Sequence, residues 1–210
     1  MLHYERQAWA AGFQKVAGVD EAGRGPLAGP VVAGAVLFDS DFLQAEEKGL
    51  LAGLTDSKKL SESRREYFFA ILTANPSVKF GVGQADVAEI DSRNILNATH
   101  LAMSRALAQL DFLPDHVLVD GLPVPGLPCP STAIVGGDGL SLSIAAASVI
   151  AKVTRDRIMV KLDGQYPAYG FSRHKGYGTK EHLEALRLHG PASCHRRSFA
   201  PVRQMTLDLK

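Results

Sequence analysis

Apolar and polar positions switch between two periods along the chain, and the switches mark out its elements. Val16–Asp20 and Val31–Phe38 are short apolar runs bounded by glycine and proline, which predicts two strands. Polar, irregular Asp39–Leu54 predicts a loop or a short helix. Ser61–Asn75 predicts a helix with Ser61 as its N-cap and Pro76 just past its end. Val78–Val82 predicts a third strand. Across Asp86–Leu110, apolar residues recur at Ile90, Ile95, Leu96, Leu101, Met103 and Leu107, a helical pattern with a break near Asp91–Asn94.

His116–Asp120 predicts a buried strand, followed by the proline-rich loop Gly121–Pro130. A short strand at Ala133–Val135 runs out at Gly136-Gly137-Asp138. A long helix is expected over Ser143–Leu162. It places Val149, Ile150, Val153 and Val160 on one face and Ser148, Lys152, Arg155 and Asp156 on another. The small residues Ala145-Ala146-Ala147 would let this helix lie close to a sheet. Tyr166–Thr179 predicts a loop, and Lys180–His189 a closing helix. Alternating strands and helices without a repeat or long linker predict one α/β domain over residues 1–210.

Composition narrows the class without naming a function. Of 210 residues, 46% are apolar and 21% charged, as in ordinary globular proteins. The longest apolar run, Pro30–Phe38, falls far short of the roughly 20 residues that span a bilayer. The first twenty residues carry Glu5, Arg6 and Lys15, so no leader peptide is read there. Cys129 and Cys194 lack a CxxC spacing, which argues against a zinc site or a disulfide framework. A cytoplasmic monomer with no membrane association is the expectation.

The net charge of +1 conceals an asymmetry. Residues 1–138 hold 11 Lys and Arg against 17 Asp and Glu, whereas residues 139–210 hold 12 against 5. The basic part also carries His174, His182, His189 and His195. Acidic and basic halves side by side fit a metal cluster next to a phosphate-binding surface, although uneven surface charge gives the same numbers.

The acids are placed suggestively. Asp20 and Glu21 stand where the first predicted strand runs out, Asp120 ends His116–Asp120, and Asp138 follows Ala133–Val135. Neighbouring strands lie about 4.8 Å apart, so adjacent strands would bring these carboxylates together. A divalent cation relieves the repulsion that follows, and an all-oxygen donor set suits Mg²⁺ or Mn²⁺. Each acid alone reads more readily as a solvated turn residue. The four together point to a metal-dependent hydrolase.

Gly23-Arg24-Gly25-Pro26-Leu27-Ala28-Gly29 invites a dinucleotide-binding reading, which fails because Pro26 interrupts it and a strand follows. A P-loop pattern is absent. A glycine-bracketed arginine after two carboxylates can instead be a tight turn, or a loop whose backbone approaches a ribose and its 2′-hydroxyl.

At these residues the chain resembles the type 2 ribonucleases H, the ribonuclease HII family. Asp20-Glu21-Ala22-Gly23-Arg24-Gly25-Pro26-Leu27-Ala28-Gly29-Pro30 is similar to the family's opening signature. Asp56-Ser57-Lys58-Lys59-Leu60 and Val119-Asp120-Gly121 are similar to the next two. Ser143 to Ser148 and Ala151 to Asp156 resemble its long helix, and Tyr169-Gly170-Phe171, His174 to Thr179 and His195 to Phe199 complete the order. The resemblance runs from about Val16 to Phe199.

The resemblance implies a ribonuclease H-like mixed central sheet flanked by helices, with a small helical C-terminal region. It implies an endonuclease that hydrolyses the RNA strand of RNA–DNA hybrids, including single ribonucleotides embedded in duplex DNA. The mechanism implied uses two metal ions, Mn²⁺ or Mg²⁺, and leaves 5′-phosphate and 3′-hydroxyl ends. Carried over by position, Asp20, Glu21, Asp120 and Asp138 are the catalytic metal-binding acids. Gly23, Arg24 and Gly25 match the loop that senses the 2′-hydroxyl, and Tyr177 the tyrosine that packs on the adjacent sugar. Lys58, Lys152 and Arg155 are phosphate-contact candidates, each equally readable as a solvated basic residue. Asp156 reads either as a second-metal aid or as an ion-pair partner of Lys152. The three histidines His174, His182 and His195 read as phosphate contacts or loop packing rather than metal ligands. One departure stands out: Gly136 occupies a position where the family usually has lysine. That leaves open a hybrid-binding module without catalysis. A small-substrate phosphatase is the other alternative, though it would make little use of the basic C-terminal third.

Overall fold

The computed structural model describes residues 1–208. Five strands, β1 (Val16–Ala22), β2 (Val31–Phe38), β3 (Val78–Ala85), β4 (His116–Asp120) and β5 (Ser131–Ile134), form one sheet in the order β3-β2-β1-β4-β5. The β1–β2 and β2–β3 pairs are antiparallel; β1–β4 and β4–β5 are parallel. The sheet is therefore mixed, as expected. Its parallel half matters most, because β1, β4 and β5 all end at the same edge.

Helices α1 (His3–Ala10), α2 (Ser40–Glu46), α3 (Glu62–Ala74), α4 (Val87–Ala108) and α5 (Leu142–Gln165) accompany the sheet. Val19, Ala33 and Val119 pack with Ala102 and Met103 of α4 on one face. Val36, Phe38 and Val78 pack with Ala146 and Ile150 of α5 on the other, where α3 adds Phe68 and Leu72. Burial of these side chains contributes roughly 25 cal/mol per Å² of apolar surface removed from water. The small helical region α6 (Phe171–His174), α7 (Lys180–His189) and α8 (Ala200–Asp208) has a third cluster, built on Leu27, Met159, Phe171, Leu186 and Val202.

α5 lies unusually close to the sheet. A Cβ placed on Gly18 would stand 2.1 Å from the backbone carbon of Ser143, and one on Gly34 would stand 2.5 Å from the Ala147 carbonyl oxygen. Glycine on the strands and alanine on the helix remove the side chains that would hold the two apart. Ser141 caps this helix with an Oγ that accepts from the Ile144 N–H.

The structure moves several boundaries. β1 extends to Ala22, so Asp20 and Glu21 lie within the strand. β5 begins at Ser131 and ends at Ile134, and Asp138 sits in a separate 3₁₀ turn, Gly137–Gly139. The stretch read as a loop over Tyr166–Thr179 contains a 3₁₀ turn at Pro167–Tyr169 and the helix α6. Asp39–Leu54 contains α2, capped by Asp39. α1 was not read from the pattern at all. The break expected near Asp91–Asn94 is present: Asn94 has φ 67° inside α4.

The two-face reading of α5 needs a larger correction. Val160 is exposed, while Ser148 and Arg155 are buried. The first turns of α5 are covered on every side, so Ser148 faces the end of the sheet, and Arg155 farther along faces the glycine loop, rather than water.

Candidate active site

Register alone brings two of the acids together. β1 and β4 pair in parallel with Gly18 opposite Leu118 and Val19 opposite Val119. Continuing one step sets Asp20 beside Asp120. Side chains alternate along a strand, so both carboxylates emerge on the face covered by α5. Asp138 joins them from the turn after β5. One oxygen from each of Asp20, Asp120 and Asp138 lies within 4.8 Å of the other two.

Glu21 comes from the opposite face of β1. Its Oε1 lies 3.3 Å from Nη1 of Arg24. The structure thus gathers three of the four expected acids tightly and holds the fourth at the rim, paired to the glycine-loop arginine.

The cluster's electrostatics are those of a cation site. Burial pushes the Asp20 carboxyl well above the usual aspartate range, and the charges of Glu21 and Asp120 push it further. Asp138 is raised to about 6 by burial and by Asp120 and Asp56. Glu21 is raised by burial, although Arg24 opposes the change. Three hydrogen bonds to the aspartates oppose this: the Ser148 hydroxyl and the Glu21 N–H bond Asp20, and the Gly137 N–H donates to Oδ1 of Asp120 at 2.7 Å. Three close carboxylates, one of them fully buried, fit a hard divalent ion with oxygen ligands.

Beside Glu21 opens a cavity of about 450 Å³. It is lined by Gly23, Arg24, Gly25, Lys58, Lys152, Arg155 and Tyr177, together with Glu21, Ala22 and Ser57. Every candidate substrate residue therefore borders one space that reaches Glu21, the chain neighbour of Asp20. The Tyr177 ring edge rests over Gly25, where a methyl group would sit 3.6 Å from Cε1. Burial pulls the Lys58 ammonium down, but Asp20, Asp56, Asp138 and Asp120 together outweigh it and raise its pKa.

Comparison with known proteins settles the relationship. The family model for Ribonuclease HII matches residues 17–202. The chain belongs to the ribonuclease HII family. The Ribonuclease HII of Desulfitobacterium hafniense (strain DSM 10664 / DCB-2) is 52% identical over 209 residues, covering all of this chain and 77% of that protein. The Ribonuclease HII of Rhodospirillum rubrum is 57% identical over 190 residues, covering 90% of this chain and 86% of its own length. In structure, the chain is similar to the ribonuclease H2 from Pyrococcus horikoshii OT3, with a TM-score of 0.76 and 29% identity over 92% of this chain and 98% of that one.

Set within the ribonuclease HII family, the residues differ in how well they suit the roles carried over. Arg155 is the most deeply buried of the three basic candidates. It is 1% exposed, and its guanidinium donates to the carbonyls of Pro30, Lys175 and Ala28. With its donors directed at backbone, it braces the loop beside the cavity. Lys152 donates to Asp156 at 2.7 Å, the local ion pair that the helical spacing allows. Gly136 has φ 68°, a left-handed conformation in which a lysine would be strained.

Asp56 and Ser57, which the sequence offered only as part of a motif, contribute as well. Asp56 stands close enough to Asp138 to raise its pKa. Ser57 shares a hydrogen bond with Ser148. His182 and His195 meet through their Nε2 atoms at 3.0 Å, and Nδ1 of His182 lies 2.9 Å from the Tyr177 carbonyl. With Ala192 N–H donating to Nδ1 of His195, the network is satisfied by a proton on Nδ1 of His182 and on Nε2 of His195. These two histidines are packing groups behind Tyr177, as the loop-packing reading expected.

Proposed function

We propose that Asp20, Asp120 and Asp138, with Glu21 at the rim, hold divalent metal, Mn²⁺ or Mg²⁺, for hydrolysis of the RNA strand of RNA–DNA hybrids. The reading includes single ribonucleotides within duplex DNA. It is supported above all by the convergence of three carboxylates beside a cavity bordered by the Gly23-Arg24-Gly25 loop and Tyr177. Divalent ions bound there would supply Lewis acidity, lowering the pKa of a water and stabilising charge on the leaving 3′-oxygen.

The chain's own groups do the rest. The glycine loop offers backbone close to the ribose. Tyr177, half exposed over Gly25, presents a ring to the neighbouring sugar, which favours junctions where that sugar is DNA. Lys58 is exposed at the rim and held as a cation by the acids, so it attracts the incoming phosphate. Lys152 lies deeper and is already neutralised in part by Asp156, so its role in holding phosphate is the smaller one.

The same reading takes residues 1–210 as one catalytic domain acting as a monomer. No helix among the described residues is long and apolar enough to cross a membrane. A cytoplasmic site of action is part of the proposal and rests on the two free thiols, Cys129 and Cys194.

The test is incubation with a duplex bearing one embedded ribonucleotide, in chelator and after restoring Mn²⁺ or Mg²⁺. Metal-dependent cleavage giving 5′-phosphate and 3′-hydroxyl ends is the expected result. Binding in chelator with no cleavage in either metal would support the binding-module alternative instead.

A further inference from the structure

Two arginines lie side by side beneath the glycine loop, and among the described residues neither has a carboxylate partner. Arg196 is fully buried. Its Nε donates to the Gly29 carbonyl at 3.0 Å, Nη1 to Arg24 at 2.9 Å and Nη2 to Gly23 at 2.6 Å. Arg155 grips the far end of the same loop through Ala28 and Pro30. Burial lowers both guanidinium pKa values, and Arg155 lowers that of Arg196 further, to about 9, so both stay charged at neutral pH.

Burying two like charges together is costly unless the donors are satisfied, and here carbonyl oxygens satisfy them. Those carbonyls belong to the very loop that borders the cavity. A trans peptide unit points its N–H opposite to its C=O, and the described residues hold no cis bond. With the Gly23 and Arg24 carbonyls turned inward to Arg196, the N–H groups of Arg24 and Gly25 are turned away from it, on a loop that lines the cavity. Neither amide has a hydrogen-bond partner among the described residues. Gly23 fits this arrangement on two counts: its φ is +96°, and a Cβ there would strike Arg155 Nε at 1.9 Å.

We propose that Arg196 is a positioning residue for ribose recognition: its guanidinium fixes the Gly23 and Arg24 carbonyls so that the next two amides face the substrate sugar as fixed donors. The idea rests on the reading of the Gly23-Arg24-Gly25 loop as the 2′-hydroxyl sensor. Lysine would keep the charge but lose the planar fork that serves three carbonyls at once.

The experiment measures dissociation constants in chelator for a duplex with one ribonucleotide and for the same duplex in all-DNA form. Wild type and Arg196→Lys are compared, with the melting temperature of each recorded. The expected result is a wild-type preference for the ribonucleotide that shrinks about tenfold in the variant, the worth of one or two hydrogen bonds. All-DNA affinity should hold. A variant that keeps the wild-type preference overturns the proposal, as does a parallel loss of affinity for both duplexes, which would mark a purely structural role. If wild type shows no preference, the sensor reading itself fails and this proposal falls with it. Should Arg196→Lys not fold, Phe199→Leu removes the ring against the guanidinium while keeping an apolar side chain for the two clusters on which Phe199 also packs. The same ratio, decreasing in the same direction, then decides the matter.

Discussion

Ser57 and Ser148 share a buried hydrogen bond of 2.8 Å, and Ser148 in turn bonds the carboxylate of Asp20. A loop between helices and the long helix α5 thus meet on the most buried acid of the cluster. The Ser148 bond stabilises the charged form of Asp20 against the burial that opposes it. Ser148→Ala should therefore raise the Asp20 pKa further. The acid limb of the kcat/KM profile should move to higher pH at fixed Mn²⁺, and the metal concentration for half-maximal rate should increase. An unchanged profile would show that the bond does not govern metal loading.

Asp138 gives a stability test. Its folded pKa, about 6, lies above the ordinary 3.8. A raised value means that its favourable contribution is present below about pH 4 and lost as pH rises through 6. Metal-free Asp138→Asn should accordingly melt higher than wild type above pH 6, by about 2–4 °C for each kcal/mol relieved. Added Mn²⁺ should raise the wild-type melting temperature much more than that of the variant, and cleavage by the variant should fall by orders of magnitude. Calorimetry with and without metal measures both.

Gly136 gives a test of the missing charge. Gly136→Lys has open space for a side chain but must adopt a positive φ, at a cost of about 1–2 kcal/mol. The variant should melt lower, bind duplex more tightly at low salt, and show a steeper loss of affinity as salt increases. Salt titrations of the dissociation constant measure that slope.

The histidine network predicts an acid weakness. Burial, reinforced by His182, pushes His195 down to about 4 from an ordinary 6.5. A depressed histidine contributes stability that is full above 6.5 and lost as pH falls toward 4. His195→Gln should start less stable near pH 7, yet lose less on acidification between 6.5 and 4.5. The difference between the two melting-temperature curves isolates this group from the carboxylates.

Much of this site was legible in the sequence because it is built on strand ends. Asp20 and Asp120 announce themselves as acids closing apolar runs, with glycine at Gly23 and Gly121 soon after, and a 100-residue register offset makes them neighbours. Asp138 was legible by the same logic even though a 3₁₀ turn, not a strand, delivers it. Asp56 was not, because a carboxylate in a loop between helices has no periodic signal to mark it. Arg155 misled for a related reason. Helical spacing groups polar residues on one face, but it cannot tell whether that face meets water or another part of the chain. α1 escaped because its few apolar residues form no extended stripe, and Glu5, buried against the start of α5, reads as an ordinary surface acid.

The near contact of α5 with β1 and β2 has a consequence for how this enzyme can fail. Ser148 reaches Asp20 only because no side chain at Gly18 or Gly34 wedges the helix outward. A single methyl group at Gly34, pressed against the Ala147 carbonyl, would lift that stretch of backbone and draw the hydroxyl away from its acid. Chemical competence here is governed by a spacing between layers, so a lesion deep in the apolar interior can silence the centre while leaving each of its reactive groups in the chain.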